Sequence, residues 1–230
     1  MTQSLSDIRR EFERVPSDVV KRAAGFQPAI LADIAGRRGT MNSRIAALSP
    51  GMKCCGPAFT VEVRAGDNLM IHTAMTMAKP GDVLVIDGKG DLTCALMGAI
   101  MINACAQLKL AGVVVDGAVR DTLELRELGF PVFAAGANPN GPLKVAPGRI
   151  NWPISCGGIA VAPGDLVSAD ADGVLVVERE KAASLLDGAA KKVAEETARI
   201  AAIKQGRELR PKWLEATLRT AGVLKDGETL

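Results

Sequence analysis

Arg120 and Asp121 stand side by side, shortly after an apolar run at residues 113–115. Such a run is typical of a buried strand, and ligands bind at the carboxyl ends of strands in open α/β sheets. An arginine offers two parallel N–H donors to a carboxylate, and an aspartate offers oxygen to a hard cation such as Mg²⁺ or Mn²⁺. The two residues could instead cap the helix predicted at Thr122–Leu128. From the residues alone, both interpretations stay open.

Other chemistry is limited by what the sequence lacks. His72 is the only histidine, so multi-histidine zinc sites and paired-histidine acid/base systems are excluded. The phosphate-binding and nucleophile motifs GxxxxGK[ST] and GxSxG are absent, and no GxGxxG follows a strand. Lys89 is the lysine best placed for a Schiff base, although a solvated loop lysine is the simpler interpretation.

The composition is that of an ordinary globular chain of 230 residues, 48% hydrophobic and 23% charged. A net charge of +2 and an aromatic content of 3% argue against nucleic-acid or membrane partners. Five cysteines without CxxC spacing indicate a reduced, cytoplasmic protein, and the polar N-terminus is not expected to be a signal peptide. The uncharged stretch between Asp91 and Lys109 carries polar residues, so we interpret it as a buried helix and not a membrane span.

Start and stop signals predict alternating helices and strands, and hence an α/β fold. The predicted helices cover residues 17–25, 28–35, 68–78, 122–128, 180–205 and 211–222. The predicted strands cover residues 54–63, 83–87, 113–116 and 131–135, followed by short antiparallel strands within 152–178. Turns are expected at 88–91 and 117–121, so the Arg-Asp pair would follow a strand directly.

Four segments also carry a family resemblance: DNLMIH at 67–72, PGDVLVIDG at 80–88, AGVVVDGAVRD at 111–121 and ADADGV at 169–174. They resemble the class II pyruvate aldolases that cleave 4-hydroxy-4-methyl-2-oxoglutarate and 4-carboxy-4-hydroxy-2-oxoadipate, which share a fold with regulators of ribonuclease E activity. The resemblance implies a single-domain β/β/α layered sandwich, swivelling-domain-like, over residues 1–230. Its core would lie at about 25–180 and a helical C-terminal arm at about 180–230. It also implies a homotrimer or a dimer of trimers.

The resemblance further implies a role for each site residue. Arg120 would bind the pyruvoyl end of a 2-oxo acid and stabilise its enolate, and Asp121 would bind Mg²⁺ or Mn²⁺. Backbone N–H groups near a helix start would bind the substrate carboxylate, so this helix would begin near Gly98. The predicted site residues are His72, Ala99, Ile100, Met101, Arg120 and Asp121, completed by Glu195 or Glu196 of a neighbouring subunit.

One residue departs from the family pattern. The aldolases carry an acidic residue, then twenty residues, then Arg-Asp, and that spacing falls on Ala99 here. The acid holds a metal-bound water in the family, and losing such an outer partner typically costs about 10–100-fold in metal affinity or activity. Ala99 therefore predicts a weakened or altered activity.

Three functions follow from these observations. The first is a metal-dependent lyase that releases pyruvate from a 4-hydroxy-2-oxo acid and could decarboxylate oxaloacetate. The second is a non-catalytic regulator of RNA turnover that binds ribonuclease E. The third is a family enzyme with another substrate, as permitted by Ala99.

Overall fold

The computed structural model describes residues 7–225 and 227–230. The chain divides into two compact units, one ending at Ala189 and one spanning Ala190–Leu230. The predicted single domain with a C-terminal arm stays a prediction. In the part of the chain that the structure describes, no helix is both long and apolar enough to cross a membrane.

Helices and strands alternate through most of the chain. The helices are Ser17–Ala23 (α1), Pro28–Ile34 (α2), Leu69–Met75 (α3), Ala99–Gln107 (α4), Thr122–Leu128 (α5), Arg179–Lys204 (α6) and Leu214–Thr220 (α7). The strands are Ala46–Ala47 (β1), Cys54–Glu62 (β2), Val83–Met97 (β3), Gly112–Val119 (β4), Val132–Ala137 (β5), Arg149–Ile150 (β6), Ile154–Cys156 (β7), Ile159–Val161 (β8), Leu166–Asp170 (β9) and Gly173–Val177 (β10).

The main sheet has the strand order β1-β5-β4-β3-β2-β9-β10, and β6 pairs with β2. Strands β2 to β5 run parallel, and α3, α4 and α5 are their crossover helices. All eight residues of β4 are buried, which explains its continuous apolar sequence. The predicted α/β fold class is confirmed.

The core is built almost entirely from aliphatic side chains. Its larger cluster lies along the sheet and contains Phe59 and Phe133, both fully buried. A second cluster joins α1 and α2 to β9, β10 and the first part of α6, with Leu31 and Leu186 fully buried. Burying each such side chain contributes about 1.5–3 kcal/mol. Few aromatic residues are therefore needed to stabilise this sheet.

The uncharged stretch after Asp91 is not one helix, so that prediction was wrong. Strand β3 continues to Met97, because Ala95 and Met97 pair with residues of β4 across register shifts in the ladder. Helix α4 then begins at Ala99, after an extended Gly98. The helix start near Gly98 that the family resemblance implied is confirmed.

Several other predicted boundaries also change. The turn expected at 117–121 shortens to its last two residues, because β4 runs on to Val119 and pairs with β5. The turn expected at 88–91 lies within β3, where Lys89 has a φ of 62°. Helix α3 ends at Met75 and does not reach residue 78. Helix α5 has the predicted bounds and ends at Gly129, whose φ of 70° suits a glycine.

Candidate active site

A cavity of about 160 Å³ lies where β3 and β4 end. The backbone N–H of Arg120 donates to the carbonyl of Met97 at 3.0 Å, which joins the two strand ends. The cavity is lined by Asn68, His72, Ala95, Leu96, Met97, Gly98, Ile100, Met101, Arg120, Asp121, Pro142 and Lys144. Five of the predicted site residues therefore line one cavity.

A larger cavity, of about 310 Å³, lies beside the loop between α1 and α2. Its side chains are less suited to catalysis. Its lining includes Cys54 and Cys55. Burial raises the pKa of the Cys55 thiol to about 11 and that of Cys54 well above its usual range. Both thiols are therefore protonated and poorly nucleophilic at neutral pH. Although it is smaller, the cavity at Asp121 is the stronger candidate for a site.

Asp121 immediately precedes α5, but its side chain makes no capping bond to that helix. Its Oδ2 accepts a hydrogen bond of 2.9 Å from the backbone N–H of Ala99, at the start of α4. The Nε of Arg120 lies 3.7 Å from the same oxygen, and the two side chains are 42% and 39% exposed. Asp121 is thus the N-cap residue of α5 through its backbone carbonyl, which accepts the N–H of Leu125 at 3.0 Å, while its carboxylate remains accessible to a ligand.

Gly98 leaves the space that this arrangement needs. A Cβ atom at Gly98 would lie 2.5 Å from Asp121 Oδ2 and 2.8 Å from Arg120 Cγ. A Cβ at Gly141 would lie 3.0 Å from Nη1 of Arg120. The arginine thus passes between two glycines, and a side chain at Gly98 would displace the carboxylate.

The first turn of α4 presents backbone donors to the cavity. Ile102 is the first residue of this segment whose N–H bonds to a preceding carbonyl, that of Gly98. The N–H of Ala99 is taken by Asp121, which leaves those of Ile100 and Met101 without an acceptor within the helix. Such N–H groups, at the positive end of a helix dipole, favour an anion.

His72 lies on α3 and lines the same cavity with an exposed side chain. Sequence reasoning placed it at the site only through the family resemblance, because a lone helical histidine is by default a packing residue. Its catalytic role stays a prediction.

A sequence comparison decides the family. The profile of the RraA-like family, described as Aldolase/RraA, matches residues 2–176. The chain belongs to the RraA-like family. A protein of Halalkalibacterium halodurans, named "Putative 4-hydroxy-4-methyl-2-oxoglutarate aldolase", is 39% identical over 203 residues. The match covers 88% of this chain and 91% of that protein.

Solved structures of RraA proteins have the same fold. Streptomyces coelicolor RraAS2, described as an unusual member of the RNase ES inhibitor RraA protein family, is 30% identical with a TM-score of 0.75. The match covers 82% of this chain and 99% of that one. The RNA-processing inhibitor RraA from Thermus thermophilis is also 30% identical, with a TM-score of 0.61 and coverage of 66% and 92%. The family predicted from sequence is confirmed.

In this RraA-like chain, Glu195 and Glu196 belong to the C-terminal unit. Each forms an ion pair one helical turn away, Glu195 with Lys191 at 3.9 Å and Glu196 with Lys192 at 3.1 Å. Exposed pairs of this kind contribute about 0.3–0.5 kcal/mol. Their predicted role in a neighbouring subunit's site stays a prediction.

Two cavity residues of the RraA-like chain were missed by sequence reasoning. Lys144 lies on the loop after Pro142, and nothing in its local sequence marks it. Asp67 holds this loop, because its Oδ2 accepts the N–H groups of Val145 and Ala146 at 2.8 and 3.0 Å. The long-range contact brings Lys144 to the site.

Asn68 is the second missed residue, and it is 3% exposed. Its Nδ2 donates to the carbonyl of Leu96 at 2.9 Å and lies 3.4 Å from Sδ of Met101. Its Oδ1 finds no hydrogen-bond donor among the described residues. A buried acceptor left unpaired costs about 1–3 kcal/mol. The sequence marked this residue only as the start of α3.

The RraA-like chain offers a cation a small donor set. Among the described residues, no group of three or more His, Cys, Asp or Glu side chains could hold a metal ion. At the cavity, Asp121 is the carboxylate available. That set fits Mg²⁺ or Mn²⁺, because such ions are commonly held by one or two carboxylates together with water and substrate oxygens.

Proposed function

We propose that this RraA-like chain is a divalent-metal-dependent lyase that cleaves a 4-hydroxy-2-oxo acid into pyruvate and a second oxo acid. The observation that carries the proposal is the accessible Asp121 carboxylate beside Arg120, which makes no side-chain capping bond to α5. The aldolase name of the Halalkalibacterium halodurans relative supports the same reaction class.

Substrate binding would use groups already in place around the cavity. The N–H groups of Ile100 and Met101 suit the substrate carboxylate, since they lie at the start of α4. The guanidinium of Arg120 suits the 2-oxo oxygen. Mg²⁺ or Mn²⁺ held by Asp121 would supply Lewis-acid stabilisation of negative charge.

Cleavage begins when a base removes the proton of the 4-hydroxyl, and the imidazole of His72 lines the cavity as one candidate. The C3–C4 bond then breaks, C4 becomes the carbonyl carbon of the released oxo acid, and the electron pair passes to C3. Arg120 stabilises the negative charge of the resulting pyruvate enolate. Protonation at C3 gives pyruvate. Loss of CO₂ from oxaloacetate yields the same enolate, so decarboxylation is a second expected activity.

Ala99 bears on the rate and on the choice of substrate. It supplies an N–H to Asp121 but no carboxylate. We therefore expect activity below that of a relative with an acid at this position, by about 10–100-fold. If Ala99→Asp raises aldol cleavage, the present substrate class is supported, whereas loss of a native activity would favour a different substrate.

The decisive test is pyruvate release from 4-hydroxy-4-methyl-2-oxoglutarate and 4-carboxy-4-hydroxy-2-oxoadipate, with Mg²⁺ or Mn²⁺ and after chelation. Asp121→Ala should abolish release, while Asp172→Ala, an exposed aspartate in the turn between β9 and β10, should leave it unchanged. Wild-type turnover by Asp121→Ala, or turnover unaffected by chelation, would contradict the mechanism.

A non-catalytic regulator of RNA processing is the second candidate, favoured by the two RraA structures at 30% identity. Inhibition of ribonuclease E by the purified chain, without pyruvate release from any 2-oxo acid tested, would support this function and contradict the lyase.

Assembly is part of the lyase proposal. A homotrimer or dimer of trimers would allow Glu195 or Glu196 of one subunit to complete the site of another. Size-exclusion chromatography with light scattering measures the assembly directly, and a stable monomer with full activity would contradict the role of these glutamates.

A further inference from the structure

We propose that Lys144 binds a distal carboxylate of the substrate, at the end opposite the 2-oxo acid group. The inference rests on the proposed lyase function, and it narrows the substrate class from 4-hydroxy-2-oxo acids in general to those with at least two carboxylates. Lys144 acts in recognition and takes no part in breaking the C3–C4 bond.

The charged side chains of the cavity call for a second anionic group. Apart from His72, the lining contains the basic side chains of Arg120 and Lys144 and the carboxylate of Asp121. In the proposed lyase, Arg120 binds the 2-oxo oxygen, and backbone N–H groups of α4 bind the first carboxylate. Lys144 is then the cation that the 2-oxo acid group does not use. A second carboxylate is the substrate group that complements it.

The Lys144 ammonium forms no ion pair with a carboxylate in the part of the chain that the structure describes. Lys89 is the contrasting case, since its Nζ lies 2.8 Å from Oε1 of Glu62 and 2.7 Å from Oδ2 of Asp87. An anion that binds Lys89 must compete with both carboxylates. Lys144 is exposed and breaks no such pair when it binds an anion.

The backbone on both sides of Lys144 is held by hydrogen bonds. Leu143, directly before it, uses its N–H and its carbonyl in bonds of 2.8 and 3.0 Å. Val145 and Ala146, directly after it, donate to the Asp67 carboxylate at 2.8 and 3.0 Å. Substrate binding therefore orders the Lys144 side chain and not the loop, which lowers the entropic cost of recognition.

The loop that carries Lys144 also passes close to Arg120. A Cβ at Gly141 would lie 3.0 Å from Nη1 of Arg120. Lys144 follows Gly141 by three positions, which is at most about 11 Å of backbone. A lysine side chain adds a flexible stem of four carbons. The ammonium can therefore approach the far end of a short 2-oxo acid held at Arg120.

The first test is calorimetric titration, with Mg²⁺ present, of two ligands that lack the 4-hydroxyl. 2-Oxoglutarate and 2-oxopentanoate both have five carbons, and C5 is a carboxylate in the first and a methyl group in the second. Wild-type protein should bind 2-oxoglutarate about tenfold more tightly, because it gains a charge-assisted hydrogen bond. Lys144→Met should bind the two ligands equally and should keep the wild-type affinity for 2-oxopentanoate.

The second test measures pyruvate release from 4-hydroxy-2-oxoglutarate and 4-hydroxy-2-oxopentanoate, which differ at C5 in the same way. Lys144→Met should lower kcat/KM for the first substrate about tenfold, mainly through KM, and change that for the second less than about twofold. Lys144→Arg keeps the charge and should retain most of the wild-type value. Lys79→Met removes the same charge at an exposed position outside the cavity and should change neither reaction.

Equal losses for the two substrates in Lys144→Met would overturn the proposal, because Lys144 would then support the cavity or the chemistry. An unchanged kcat/KM for 4-hydroxy-2-oxoglutarate would overturn it as well. Thermal unfolding reports whether Lys144→Met folds. If it does not, Lys144→Gln, which is also neutral, replaces it in both tests.

Failure of the lyase function can be told apart from failure of this inference. If wild-type protein releases pyruvate from neither substrate, the lyase proposal fails, and the titrations alone decide the role of Lys144. A preference of wild-type protein for 2-oxoglutarate that is lost in Lys144→Met supports that role. Equal binding of the two ligands to wild-type protein, or no binding of either, overturns it.

Discussion

Asp116 and Asp121 lie five residues apart, yet their carboxylates are held in opposite ways. Arg44 Nη2 reaches both oxygens of Asp116, at 2.7 and 2.8 Å, and the N–H of Gly157 adds a bond of 2.8 Å. The Asp116 side chain is 6% exposed, whereas that of Asp121 is 39% exposed and accepts one backbone N–H. An aspartate closed by a cation supports the fold, and one left open beside an arginine can bind a ligand.

The largest effect is expected from Arg120, the cation beside the open carboxylate. Arg120→Lys keeps the charge but loses the planar pair of donors, so kcat/KM for pyruvate release should fall by about 100-fold or more. The same substitution at Arg126 of α5, whose Nε donates to the carbonyl of Leu48 directly after β1, is the matched control. Comparable kinetics for the two variants would remove the special role of Arg120.

A substitution at Gly98 tests whether activity depends on the position of the Asp121 carboxylate. Gly98→Ala places a methyl group 2.5 Å from Asp121 Oδ2, and displacing a reactive group by about 1 Å can cost about 100-fold. We therefore expect a loss of about 10–100-fold in kcat/KM, with little change in the melting temperature. Gly51→Ala, where no atom lies within 4 Å of the new Cβ, is the control. Full activity of Gly98→Ala would show that the carboxylate can move freely.

Asp116 should affect stability and not chemistry. Asp116→Ala loses the bonds to Arg44 and Gly157, but Arg44 is half exposed and can be solvated, which limits the cost to about 1–3 kcal/mol. The melting temperature should fall by about 5 °C, as measured by calorimetry, while pyruvate release per folded molecule is retained. A variant with unchanged stability and lost activity would reverse the assignment of the two aspartates.

Substitution of Asp67 is expected to have the smallest effect. It should lower the free energy of unfolding by an amount that depends on pH. Burial alone would raise the pKa of Asp67, but hydrogen bonds from Val145, Leu69 and Ala146, together with the nearby positive charge of Arg64, outweigh burial and lower it. The stabilisation is therefore complete above the unfolded pKa, near about 4, and is lost as pH falls through the lower folded value.

Urea unfolding of wild-type protein and Asp67→Asn between pH 3 and 7 measures this contribution. The variant should be less stable at pH 7, and the difference should shrink toward pH 3. A difference that does not change with pH would show that the Asp67 charge contributes nothing.

Local sequence patterns predicted the elements whose structure is determined by residues adjacent in the sequence. Helix α5 and its end at Gly129 were predicted at their observed bounds, because the helix pattern and the stop residue lie within one short segment. Strand β3 was predicted only as far as residue 87, since its second half is stabilised by pairing with β4. A strand that depends on such pairing has no periodic signal of its own.

The same division applies to the site. Arg120 and Asp121 could be predicted as a pair because they follow a buried strand, but the contact of Asp121 with α4 joins residues 22 positions apart. The Asn68 amide was missed because its partner Leu96 is 28 positions away. Contacts between residues so far apart in the sequence form only when the sheet folds, so local sequence patterns do not predict them.

The backbone of Asp121 has a consequence for how such a chain can evolve. Its φ of 59° and ψ of 36° lie in the left-handed region, which aspartate, asparagine and glycine adopt most readily. Codons for asparagine and glycine are one base change away from those for aspartate. A single point mutation can therefore remove the carboxylate without straining the fold, and the reverse mutation can restore it. Given the proposed role of Asp121 in holding the metal, a family with this backbone can gain or lose metal-binding members while its architecture stays the same.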